Sequence, residues 1–130
     1  MNFNHVANRL AAVHFDTVVA LFTQRLGFVV LRRTERAIWM RQPGTNVDLQ
    51  FGRSDTTHRD SDKQRSQVSF LSLTPREELE TLATWLAEQG LAATVGAYSD
   101  REFYLDAPDA FVDFVIEAMR PELADYDVKV

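Results

Sequence analysis

Three histidines, His5, His14 and His58, and no cysteine limit the metal and nucleophile chemistry open to these 130 residues. Without thiols there can be no disulfides, thiolate zinc centres or cysteine nucleophiles, so any ion must find His, Asp, Glu, Gln or water as donors. Two acids stand out because strand interiors disfavour Asp: Asp48 sits between Val47 and Leu49, and Asp113 between Val112 and Phe114. In an extended segment those apolar neighbours point to the buried face, which turns each carboxylate toward a cavity or toward solvent. Arg9 shares the face of His5 if their strand alternates regularly; it either meets an anionic group or stays in solvent. Trp39, Tyr98 and Tyr104 suit the wall of an apolar cup, or else pack on a core or subunit face. His14 and His58 lie in expected loops and read as surface residues. Glu117, four residues beyond Asp113 and about 13 Å further along a strand, reads as a solvated strand end. No HExxH, P-loop, GxSxG or dinucleotide fingerprint occurs, so zincin, nucleotide and serine-hydrolase chemistry have no support.

The elements that must position these residues come in two similar halves. The first ten residues read as a strand. Asp16 is the expected N-cap of a helix over about residues 17–26, with Val18, Leu21, Phe22 and Leu26 at helical spacing and Gly27 as its stop. Three β-rich runs follow: FVVLRRTE, RAIWMRQ and, after the PGTN turn, VDLQFGR. RSDTTHRDSDKQRS, residues 53–66, has no apolar residue and reads as a solvated linker. The second half repeats the pattern. QVSFLSL is a strand, and TPREELETLATWLAEQG is a helix with Thr74 as N-cap, Pro75 at the first position, Glu77 closing a capping box and Gly90 as stop. Leu79, Leu82, Ala83 and Leu86 form its apolar stripe. LAATVGAY, REFYLDA and AFVDFVIEA are three further strands. The halves also share a local register, because Pro43 and Asp48 are spaced as Pro108 and Asp113 are. Strand, helix and three strands, twice over, is an internal duplication.

HVANRL followed by FTQRLGF, and YLDAPDAFVDF near the end, resemble the opening and closing of modules in the vicinal oxygen chelate superfamily, which includes glyoxalases, bleomycin-resistance proteins and extradiol dioxygenases. The resemblance runs to about Met119. It implies an α+β fold of two βαβββ modules with curved mixed sheets: module one over about 1–53, a linker over about 54–65, module two over about 66–119, and a tail over 120–130. It also implies a metal set of His5, Asp48, Gln67 and Asp113, suited to Zn, Ni, Mn or Fe. Three departures from the family pattern are plain: Gln67 stands where a second histidine is usual, both aspartates stand where glutamate is usual, and Ala110 stands where the turn before Asp113 usually has glycine. On this resemblance the leading expectation is a glyoxalase-like lyase or isomerase acting on a small substrate with vicinal oxygens. Asp48 and Asp113 would move protons, and Arg9, Trp39, Tyr98 and Tyr104 would contact substrate. The rival is a metal-free protein that sequesters a small molecule, as bleomycin-resistance proteins do.

Bulk properties bound the partners. At 130 residues, 45% apolar and 25% charged, the chain suits one globular domain. Its net charge of −5, with Lys63 and Lys129 as the only lysines, argues against nucleic acid. No stretch approaches 18 apolar residues and the start lacks a signal-peptide pattern, so a cytoplasmic protein without membrane contact is expected. Eight strands and two helices leave sheet edges uncovered, which favours a homodimer, with the tail reaching the neighbour or fraying.

Overall fold

The computed structural model of the chain describes residues 4–55, 63–64 and 66–124. His58 and the tail beyond residue 124 lie outside them. The first half contains β1 (His5–Ala11), α1 (Phe15–Ala20), β2 (Val29–Arg33), β3 (Ala37–Arg41) and β4 (Asp48–Ser54). The second contains β5 (Gln67–Leu71), α2 (Pro75–Glu88), β6 (Thr94–Ala97), β7 (Glu102–Asp106) and β8 (Val115–Met119). Each half forms a four-stranded mixed sheet, in the orders β1-β4-β3-β2 and β5-β8-β7-β6. In both, the first and last strands pair in parallel and the others are antiparallel. This is the duplicated α+β arrangement expected above.

The first helix begins differently from expectation, and the second begins at Thr74 and Pro75 as expected but without its capping box. A 3-10 turn at Ala12–His14 leads directly into α1, so Phe15, fully buried, is already helical and Asp16 is not the cap. Asp16 lies instead in the first turn, where an acid complements the helix dipole, and meets Arg33 at 2.5 Å. Leu21–Arg25 then widen into a π turn, and Gly27 ends the segment at φ 73°. At α2 the Thr74–Glu77 capping box does not form. Ser72 takes over: its Oγ accepts the Thr74 N–H at 3.0 Å and bonds the Glu78 carboxylate. A hydroxyl two residues ahead of the cap accepts the Thr74 N–H that Glu77 would have accepted in a capping box.

The two halves share one core. Phe51 packs edge-on against Phe22, with centroids 5.0 Å apart, and stacks on Phe114 at 5.5 Å. Phe28 meets Phe70 at 6.1 Å. Main-chain bonds reinforce the join: Ala11 N–H donates to Ala110 O at 2.8 Å and Val112 N–H to Arg9 O at 3.3 Å.

The end of the linker departs from the solvated reading. Lys63 is buried, 2.7 Å from Asp106 Oδ1, and donates to Phe111 O at 2.8 Å. Its long apolar stem lets a residue in a polar run enter the interior, with the charge delivered to a partner. In the first sheet β2 is an open edge, with Val29, Val30 and Leu31 all exposed.

Candidate functional site

Alternation gives each sheet a core face and an open face. On β1, β3 and β4, Leu10, Ile38, Met40, Leu49 and Phe51 enter the core. The opposite face carries His5, Arg9, Trp39, Arg41, Asp48 and Gln50. Register places His5 beside Asp48 and Asp48 beside Arg41; one row further on, Ala7, Gln50, Trp39 and Arg32 stand side by side.

Within these rows the charges are already matched. Arg41 Nε donates to Asp48 Oδ1 at 2.5 Å, and Asp48 is only 8% exposed. That hydrogen bond, aided by charge attraction and opposed by burial, raises the pKa of Arg41. The Arg32 guanidinium lies 5.0 Å over the Trp39 ring, a cation–π contact within the protein. His5 is exposed, with Nδ1 2.9 Å from Asn4 Oδ1.

Asp113 does not sit in a strand interior. It occupies the bend before β8, and the residue in register with Gln67 is Val115. Val112 is buried where this bend bonds β1 and Phe114 where its ring stacks on Phe51 and Phe111, so neither burial reflects strand alternation. The equal Pro-to-Asp spacing of the halves therefore does not translate into equal places in the sheets. Asp113 Oδ1 accepts the Arg9 N–H at 3.2 Å and Asn8 Nδ2 at 3.4 Å, while Oδ2 accepts Arg9 Nε at 3.3 Å. Arg9 thus faces the protein's own anion. Among the described residues, no group of three or more His, Asp or Glu side chains is gathered where an ion would sit. His5 and Asp48 are adjacent; Gln67 and Asp113 belong to other contacts.

The open face of the second sheet carries Gln67, Ser69, Tyr98, Tyr104 and Glu117. Glu117 is not a solvated strand end: it is 8% exposed, because β8 lies between β5 and β7. Its register partners are Ser69 and Tyr104, and Ser69 Oγ donates to Glu117 Oε1 at 2.7 Å. Tyr98 and Tyr104 pack with ring centroids 4.9 Å apart. The Tyr98 hydroxyl donates to Gln64 O and accepts Gln67 Nε2 at 3.3 Å. Burial raises the Tyr98 pKa; the Gln67 bond opposes this and the Glu117 charge adds to it.

Gly96 has a steric reason to be glycine. A Cβ there would lie 2.3 Å from Tyr104 Cζ, so the ring rests where a side chain would be. Gly96→Ala is expected to swing the Tyr104 ring to another rotamer, at about 1 kcal/mol in stability. The near-ultraviolet circular dichroism of the tyrosines would change while the far-ultraviolet spectrum stays; an unaltered near-ultraviolet spectrum would contradict this packing.

Two clefts of about 350 and 530 Å³ lie elsewhere, one between Arg25, Gln42 and α2, the other beside Thr74, Arg76 and Arg120. Neither is lined by His5, Asp48, Asp113 or Glu117. Sequence reasoning missed Arg41, Ser69 and Glu117. Arg41 had a signal, since the tight turn after Gln42 folds it back toward Asp48; Glu117 had none beyond strand alternation. No helix among the described residues is long and apolar enough to cross a membrane.

Solved structures share this fold over nearly the whole chain. A possible glyoxalase from Bacillus cereus is 19% identical, with a TM-score of 0.57 over 92% of this chain and 98% of that one. A lactoylglutathione lyase from Agrobacterium tumefaciens is 13% identical, with a TM-score of 0.57 over 96% and 97%. A bleomycin-binding protein from Streptomyces verticillus, complexed with copper(II)-bleomycin, is 18% identical, with a TM-score of 0.53 over 92% and 98%. No protein-family model and no curated protein matches the sequence.

Proposed function

From a fold shared with glyoxalases and bleomycin-binding proteins, we propose that this chain binds a small molecule against the open faces of its sheets without using a metal. The observation that carries this reading is the arginine on each aspartate, Arg41 on Asp48 and Arg9 on Asp113. An ion ligated by either carboxylate would share it with an arginine already bonded there, and the like charge of the guanidinium beside the ion weakens such a site. Asp48 is the stronger case, because its carboxylate is largely buried and its arginine bond is the shorter, 2.5 Å against 3.3 Å. The net charge of −5 attracts cationic rather than anionic ligands.

A second reading, a metal-dependent lyase or isomerase, is favoured by the adjacency of His5 and Asp48. Two donors side by side would be half a ligand set, completed by Gln67 and Asp113 of the same or a second copy. A divalent ion held there would act as a Lewis acid toward vicinal oxygens of a substrate.

Elemental analysis separates the readings. Protein purified without chelator and then soaked with Ni or Zn should hold far less than one ion per chain after desalting. One ion per chain, lost in His5→Ala, would overturn the metal-free reading in favour of the lyase or isomerase.

The same reading includes a homodimer, supported by the three exposed apolar residues on the β2 edge, since uncovered edges invite pairing. Light scattering should give a mass near twice 14.9 kDa, and Val30→Lys should shift it toward one chain. A monomer mass for the unaltered protein across a dilution series would defeat the dimer and place any ligand site within one chain.

A further inference from the structure

We propose that the open face of the second sheet is a subsite for an organic cation, a quaternary or protonated amine held by the Glu117 carboxylate beside the Tyr98–Tyr104 ring pair. The proposal deepens the metal-free binding reading and rests on it. Its first support is a charge without a counterion. Glu117 is 8% exposed and receives one hydrogen bond, from Ser69 Oγ at 2.7 Å, although an ionised carboxylate can accept about four. Among the described residues no lysine, arginine or histidine pairs with it. Lys63, which reaches this sheet, is committed to Asp106 and to Phe111 O. A buried carboxylate with a single neutral hydrogen bond is under-satisfied, and a cation from outside would complete it.

The first module supplies an internal comparison. Its row Ala7, Gln50, Trp39 and Arg32 occupies the same strands and order as Ser69, Glu117, Tyr104 and Gly96 in the second. In the first row a neutral amide neighbours the aromatic residue, and the protein's own Arg32 covers the ring at 5.0 Å. In the second row the amide is replaced by an acid and the arginine by a glycine. The aromatic residue is retained, a negative charge is added, and the built-in cation is removed.

Ligand chemistry follows from the surroundings. A hard divalent ion needs several oxygen donors, and no acid cluster is present among the described residues. Aromatic faces and one carboxylate suit a weakly hydrated alkylated ammonium. The Tyr98 hydroxyl bonds at Gln64 and Gln67 hold its ring, and Gly96 leaves room for that of Tyr104. The Tyr98 ring is therefore held in place before a ligand arrives.

Choline and its neutral isostere, 3,3-dimethylbutan-1-ol, test this directly by amide NMR titration of the full chain. Choline should shift the signals of Ser69, Tyr104 and Glu117 and bind about tenfold more tightly than the alcohol. E117Q should erase that preference, and Tyr104→Leu should weaken choline binding. Equal binding of the two compounds, binding of neither, or a preference that survives in E117Q would overturn the proposal. The unaltered protein alone decides the first two outcomes, so they do not depend on a variant folding. Metal content measured on the same samples separates the two claims. An ion at His5 and Asp48 would sink the metal-free reading while a choline preference stood, and equal binding without an ion would sink the subsite alone.

Discussion

Phe51→Ala is expected to lower the free energy of unfolding by about 3–5 kcal/mol, a large part of the 5–15 kcal/mol typical of a domain. Phe51 is fully buried and touches both halves: its ring meets Phe22 beside α1 and stacks on Phe114 ahead of β8. Truncation removes burial and leaves a cavity that a close-packed neighbourhood cannot fill. Phe51→Leu keeps much of the volume and should cost only about 1–2 kcal/mol. Because the lost contacts join the modules, the transition should remain single and shift down by roughly 10–20 °C. Denaturant unfolding followed by both fluorescence and circular dichroism checks this. Two separated transitions, or a loss below about 1 kcal/mol, would show that the halves fold independently and that the shared core contributes little.

The second large effect concerns the linker. Lys63→Met should destabilise the fold by about 3 kcal/mol, because it leaves Asp106, whose side chain is 15% exposed, without the cation 2.7 Å away. The ammonium also donates to Phe111 O, so its loss loosens the turn whose neighbours Ala110 and Val112 bond β1. The double variant Lys63→Met, Asp106→Leu should recover much of the loss, since removing both members of a buried pair is far less harmful than stranding one. Chemical denaturation of the four proteins gives the coupling energy. If the two single losses simply add, the pair is not an energetic unit, and the burial of Lys63 reflects packing of its stem alone.

The fold was legible in the chain because its signals are local. Gly27 and Gly90 close helices, Pro75 opens one, and the alternation in VDLQF and AIWM marks strands whose odd and even residues separate between core and open face. Repetition of these local patterns was enough for two βαβββ modules and mixed sheets. Residue type also bounded the chemistry: without cysteine, and with so few histidines, thiolate sites were excluded on composition alone.

The site was less legible because it depends on register and on partners distant in sequence. Asp48 and Asp113 look alike in sequence, each flanked by apolar residues five positions after a proline. Tertiary structure separates them: one is a strand residue clamped by Arg41 across a hairpin, the other a bend residue held by Arg9, more than a hundred positions away. Glu117 and Lys63 are charged residues that propensity assigns to water. They are buried because β8 lies inside its sheet and because a long lysine stem can carry its charge to Asp106. Local sequence determined which elements form, since helix stops, turn residues and the period of apolar positions are all written within a few residues of one another. Which charges meet was decided by strand pairing and core packing, where the competing energies act between residues that the chain order keeps apart.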